Sequence, residues 1–200
     1  MIKINISDLT KATVQAAKLS IAVGQPPVVA GALAMAAHGY CRETSDVDIV
    51  IPVIIGTPSG DAVENAACLL GLTVRAKHGF GGLDLRDGEV RIDVLTLDRE
   101  IPGLVADAVQ EAIASRRTME LFGQQVYVVS LGHLIAMKIV AERKKDIGDI
   151  VELIKIRIEN GQWNDDQESV ISVVQKHIGW YSVRIINNMV KAAREELGMI

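Results

Sequence analysis

Apolar and polar positions along this chain repeat with two periods, and the switches between them outline its elements. Leu9, Ala12, Ala16, Leu19 and Val23 recur at helical spacing after Ser7 or Asp8, either of which can cap a helix, and Gly24 with Pro26-Pro27 ends it. Val28 to Ala30 predicts a short strand, and Leu33 to His38 a short helix closed by Gly39 as a left-handed cap. From Asp46 the period is two: Val47, Ile49 and Ile51 share one face and Asp46 and Asp48 the other, up to Pro52.

Thr57-Pro58-Ser59-Gly60 opens a helix over Asp61 to Leu70 that Gly71 stops, and Leu72 to Lys77 is a weak strand followed by a glycine-rich loop, His78 to Gly82. Leu83 to Leu97 predicts a hairpin turning at Asp87-Gly88. In its second strand Val90, Ile92 and Val94 share one face, while Arg91, Asp93 and Leu95 share the other. Further on, the pattern predicts a helix over Ala106 to Arg116 and a strand over Gln125 to Val129. Ser130 then caps a helix from Leu131 to about Arg143. The next helix, from Lys145 or Asp146 to Glu159, carries an apolar stripe of Ile147, Ile150, Val151 and Ile154. Asn164 to His177 and Ser182 to Leu197 read as two more helices, with Trp163 and Trp180 packing between the C-terminal helices. The expected class is α+β: a mixed sheet of four or five strands flanked by helices, with a helical C-terminal region. A soft boundary near Arg99 divides it into residues 1–98, a core with an N-terminal helix, and residues 99–200, mainly helical.

Composition narrows the setting. With 49% apolar residues in 200 the chain can bury a substantial core, and a net charge of −4 from 25 acids and 21 bases argues against a general nucleic-acid coat protein. Between Lys138 and Arg157, however, bases outnumber acids by two, a local face suited to steering a triphosphate or an RNA end. Cys41 and Cys68 have no spacing that suggests a zinc site or a disulfide, so a reduced cytoplasmic setting is expected. The N-terminal MIKINISDLTKATVQ lacks a secretory pattern, and no apolar run reaches the roughly 18 residues of a membrane span.

The candidate chemistry lies between Val28 and Ile51. Paired acids on one strand face repel each other and resist burial, a conflict that a divalent cation removes. If the hairpin strand lies beside them, Asp93 becomes a third carboxylate, an oxygen set suited to Mg²⁺ or Mn²⁺ together with substrate phosphates. The turn Ala30-Gly31-Ala32 leaves backbone N–H groups at a helix start open to an anion, while Gly31 also suits close helix–strand packing. The competing reading of the three acids is ordinary solvated surface. His78, His133 and His177 stand isolated and carry no signal.

Gly31-Ala32-Leu33-Ala34, His38-Gly39, Arg42, Thr44, Asp46-Val47-Asp48 and the later Asp93 resemble the G-G/S…D-x-D…D pattern of the DNA-polymerase-β-type nucleotidyltransferase superfamily. The run A-x-x-x-H-G-x-x-R-x-T-x-D-x-D, with the later S-L-x-x-L-I-A-x-K…A-x-R-x-K-D-x-x-D, is similar to minimal bacterial nucleotidyltransferases that include abortive-infection and type IV toxin–antitoxin toxins. The match spans Pro27 to about Leu153 and departs from the pattern at Ala32, where the family has Gly or Ser.

This resemblance implies a nucleotidyltransferase fold and metal-dependent transfer from a nucleoside triphosphate to a hydroxyl on an RNA end, a protein or a small molecule. Asp46, Asp48 and Asp93 are then the catalytic and metal-binding residues, with Asp93 placed to activate the attacking hydroxyl. Gly31, Ala32, Arg42, Thr44 and Lys138 bind the nucleotide. Arg42 has the alternative of pairing with Asp46, Thr44 of a hydrogen bond within its loop, and Lys138 of a snorkelling surface position. His38 matches the family, yet a structural role at a helix end is the simpler reading, and Asp146 and Asp149 are expected to orient the neighbouring bases. The family also implies an antitoxin protein as partner. Two other functions stand beside this one: a non-catalytic member that binds nucleotide or a partner, favoured by Ala32, and an antibiotic nucleotidyltransferase.

Overall fold

The computed structural model describes residues 6–54, 56–77, 82–96, 107–121 and 123–199. In chain order the elements are α1 (Ile6–Ala22), β1 (Val28–Val29), α2 (Gly31–Ala37), β2 (Asp46–Val50), α3 (Pro58–Leu69), β3 (Thr73–Lys77), β4 (Gly82–Asp87) and β5 (Val90–Leu95). There follow α4 (Asp107–Ala114), β6 (Arg117–Leu121), β7 (Gln124–Val128), α5 (Leu131–Ala141), α6 (Lys144–Glu159), α7 (Trp163–Ile178) and α8 (Tyr181–Glu196).

The strands form one mixed seven-stranded sheet in the order β3-β4-β5-β2-β1-β7-β6. This corrects the expected four or five strands. The missed strand is β6, whose Arg117-Thr118-Met119-Glu120 carries little apolar patterning and pairs on one side only, at the sheet edge. The boundary expected near Arg99 lies outside the described residues. β7 pairs in parallel with β1, so strands from both sides of that boundary share one ladder.

Alternation builds the core as the pattern predicts. Val47, Ile49, Leu83, Leu85, Ile92 and Val94 are all buried, while their polar neighbours along each strand are less so. The α1 helix packs on β2 and β5 through its stripe of Leu9, Ala12, Ala16 and Leu19. Each fully buried aliphatic side chain contributes about 1.5–3 kcal/mol. The hairpin places Asp87 opposite Val90, so the two turn residues are Gly88 and Glu89, one position later than expected, with Gly88 at φ +58°.

Two expectations about the helices need correction. In α6 the inward residues are Asp146, Asp149, Ile150, Leu153 and Ile154, whereas Ile147 is 42% exposed. Two aspartates replace the outer part of the apolar stripe because a buried lysine of α5 meets them. Trp163 is buried, but Trp180 is 79% exposed and packs between no helices. No described helix is long and apolar enough to cross a membrane.

Candidate active site

The parallel pairing of β2 with β5 sets Asp48 directly opposite Asp93, with Asp46 opposite Arg91. Pairing of β5 with β4 then sets Asp93 opposite Asp84 and Arg91 opposite Arg86. Two rows therefore cross three strands on one face: Asp48, Asp93 and Asp84, and beside them Asp46, Arg91 and Arg86. Asp84 was not singled out from the sequence, although the alternation of Leu83 and Leu85 around it already placed it on this polar face.

The charges in the two rows do not balance evenly. Arg91 Nε lies 2.8 Å from Asp93 and 3.3 Å from Asp84, and Arg86 lies 3.7 Å from Asp84. The conflict is left at β2. Burial, reinforced by Asp46 and Asp93, pushes the Asp48 carboxyl up to about 7, against a smaller opposing pull from Arg143 and Lys138. Thr44 donates its hydroxyl to the Asp46 carboxylate within the loop.

Gly31 opens α2 at φ +56°, and a Cβ built on it would fall 1.7 Å from Asp48 Oδ2. Only glycine permits both the conformation and that approach. The Ala30 amide donates to the Asp48 carbonyl at 2.9 Å, tying the turn to β2. Ala32 buries its methyl group, while the first amides of α2 have no partner within the helix itself.

The basic residues form a separate layer of contacts. Lys138 is only 4% exposed and donates to Asp146 at 2.9 Å and to Asp149 at 2.7 Å. It is neither a snorkelling surface residue nor a side chain pointing into open solvent. Arg42 pairs with Asp149 at 3.0 Å rather than with Asp46. Arg143 meets Asp146 at 2.6 Å while its side chain remains 59% exposed. Burial alone would raise the Asp146 carboxyl, but hydrogen bonds from Arg143 and Lys138 hold it below the ordinary range. The chain Arg42–Asp149–Lys138–Asp146–Arg143 thus links the loop before β2 to α5 and α6. The hydrogen bond to Asp146 raises the Arg143 pKa above its ordinary value, and the charges of Asp48 and Asp46 add a smaller push in the same direction.

His38 is structural. Its Nε2–H donates to the Val129 carbonyl at 2.9 Å, and burial depresses its pKa. A cleft of about 340 Å³ lies nearby, lined by His38, Arg117, Ser130 and Arg157 among others, and none of the three sequence-predicted aspartates borders it. Arg157 there is already held by Asp166 at 2.7 Å.

A second cluster was missed altogether: Glu111 on α4, His133 on α5 and His177 on α7 each offer a ligand atom within 4.8 Å of the others. Desolvation, helped by His177, holds His133 down at about 4. No local spacing reveals this group, since its members come from three helices far apart in sequence. His78 lies outside the described residues.

No family model matches the chain, and no curated protein does. Among solved structures it is similar to the antibiotic-resistance factor ANT(2'')-Ia in solution, at 16% identity and TM-score 0.49, covering 94% of both chains. The crystal structure of ANT(2'')-Ia in complex with adenylyl-2''-tobramycin aligns at 15% identity and TM-score 0.45, over 94% of this chain and 99% of that one. An antigenic nucleotidyltransferase-like protein from Paracoccidioides brasiliensis aligns at 19% and 0.46, over 87% and 94%.

Proposed function

We propose that the chain is a metal-dependent nucleotidyltransferase, and the observation that carries this reading is the in-register apposition of Asp48 and Asp93 beneath the Gly31 turn. The donor set fits a hard divalent cation. Asp46 and Asp48 are separated by one residue on one strand, and the ionised Asp48 carboxylate is destabilised by burial and by its neighbours in a way that a bound cation would relieve. Arg91, 34% exposed and paired with Asp93 and Asp84, must turn aside for a cation to take its place on Asp93.

In this reading Asp46 and Asp48 hold Mg²⁺ or Mn²⁺, and Asp93 completes the set. When bound, the ion neutralises the triphosphate and polarises the attacking oxygen. Asp93, across the ladder from Asp48, receives the proton of the acceptor hydroxyl. The acceptor oxygen bonds to the α-phosphorus as the α–β phosphoanhydride bond breaks, and pyrophosphate leaves. Amides of Gly31 and Ala32 face the phosphates, and Arg143 supplies an exposed guanidinium anchored by Asp146. Arg42, Thr44 and Lys138 act at one remove: Thr44 orients Asp46, and Arg42 and Lys138 fix the Asp146/Asp149 pair on which Arg143 rests.

The acceptor is a hydroxyl on an RNA end, a protein or a small molecule. A toxin's role with an antitoxin partner in the cytoplasm is part of the proposal through the sequence resemblance alone.

Incubation with labelled nucleoside triphosphates, Mg²⁺ and cellular RNA or protein tests it. Covalently retained label is expected, falling by about 100-fold or more in Asp46→Asn and Asp93→Asn. Unchanged triphosphate binding and transfer in Asp46→Asn would remove the assignment, and saturable binding without transfer would make the chain a nucleotide-binding member instead.

A further inference from the structure

Glu111, His133 and His177 lie outside the acidic rows, and nothing in the proposed transfer uses them. They bring α4, α5 and α7 to one point. His177 Nε2 lies 2.7 Å from Glu111 Oε2, and the two imidazoles stand with ring centroids 5.5 Å apart. Both histidines are 3% exposed. The buried Nε2 of His133 and the buried Nδ1 of His177 have no hydrogen-bond partner among the described residues.

That unpartnered nitrogen is the informative atom. On its other side His133 faces two hydroxyls, Ser130 Oγ at 2.8 Å and Ser115 Oγ at 3.2 Å, both at Nδ1. Ser115 Oγ gives its proton to the Glu111 backbone carbonyl at 2.7 Å and so accepts from His133 Nδ1–H, which leaves the imidazole lone pair on the buried, unpartnered Nε2. A hydrogen bond that fixes the tautomer and leaves the opposite nitrogen bare is the usual support of a metal-ligating imidazole. A buried bare nitrogen without such an ion is a desolvated acceptor with nothing to accept.

We infer that Glu111, His133 and His177 form a site for a first-row transition metal, Zn²⁺ being the best fit. Two imidazoles and one carboxylate suit Zn²⁺ rather than Mg²⁺, which prefers an all-oxygen shell. Tetrahedral Zn²⁺ with bonds of about 2.0–2.1 Å separates neighbouring ligand atoms by about 3.3 Å. The three ligand atoms, now within 4.8 Å of one another, reach that spacing by small side-chain rotations. Glu111, whose side chain is 34% exposed, leaves a fourth position open to water. Lys176 competes for the same carboxylate, with its Nζ 2.8 Å from both Glu111 oxygens. Its side chain is 60% exposed and can swing away. The ion would bolt α4 to α5, the helix that carries Lys138.

Titration of the full chain with Co²⁺, a visible substitute for Zn²⁺, tests the site. The expected result is one equivalent bound with d–d absorption in the Asp46→Asn/Asp93→Asn double variant, displaced by Zn²⁺, and imidazole ¹⁵N shifts in the wild type confined to two of the four histidines. Affinity should fall about 100-fold in Glu111→Gln and in His177→Gln, persist in the Asp46→Asn/Asp93→Asn double variant, and rise in Lys176→Ala. The wild-type imidazole spectra keep the test decisive even where a histidine variant misfolds. The inference is overturned if wild-type protein takes up no stoichiometric Co²⁺ or Zn²⁺ at about 0.1 mM, or if uptake disappears with the aspartates and survives Glu111→Gln.

Discussion

Gly31 and Asp48 are packed so closely that the missing Cβ of the glycine is the space occupied by the carboxylate: an added methyl would sit 1.7 Å from Oδ2. Gly31→Ala must therefore both strain a backbone at φ +56° and turn the Asp48 side chain away. Gly88, at φ +58° with nothing within 4 Å of its would-be Cβ, isolates the backbone part of that cost. Urea denaturation should show about 1 kcal/mol lost in Gly88→Ala and about 2–3 kcal/mol in Gly31→Ala. Only Gly31→Ala should also lose Mg²⁺-dependent triphosphate binding in calorimetry.

Asp48 makes the metal-free protein sensitive to pH in a defined direction. Its carboxyl is raised to about 7 from 3.8, so the folded state holds a proton that the unfolded chain releases. The stability this gives is complete below about pH 4 and is lost as pH rises through about 7. Residual solvent exposure screens the full value, leaving about 1–3 kcal/mol between pH 5 and pH 8. Asp48→Asn should flatten this part of the profile, and about 10 mM Mg²⁺ should restore stability at pH 8 in the wild type alone.

Lys138 sits between two buried aspartates, and its removal strands negative charge. Lys138→Met should cost about 3–5 kcal/mol in urea denaturation, because Asp146 and Asp149 lose their shared ammonium. Adding Asp149→Asn should recover a large part of that loss. A lysine that only gripped phosphate would change the KM for triphosphate and leave stability untouched.

The shifted stripe of α6 can be tested directly. Ile150→Ala, at a fully buried position, should cost about 2–5 kcal/mol, while Ile147→Ala, at 42% exposure, should cost under about 1 kcal/mol. Equal losses by thermal or chemical denaturation would place Ile147 in the core after all.

Legibility followed the range of the interaction. Period-two alternation identified Val47 and Ile49 as core, Asp46 and Asp48 as their opposite face, and the hairpin that carries Asp93, because alternation is a property of neighbouring residues. It failed at β6, where a polar edge strand has no such pattern, and at Trp180, where aromatic character suggested packing that its place between α7 and α8 does not provide. In α6 helical spacing alone chose isoleucines over aspartates. The choice was reversed by Lys138, a residue of another helix.

By itself, then, the order of residues determined which side chains share a face and where the chain turns, since these depend on local geometry and on glycine's freedom. Tertiary structure alone decided that Asp84 joins Asp48 and Asp93 in one row, that Arg42 meets Asp149, and that Glu111, His133 and His177 converge. Strand order and helix packing bring these residues together across long stretches of chain, and the energy that selects such pairings belongs to the assembled core rather than to any one segment.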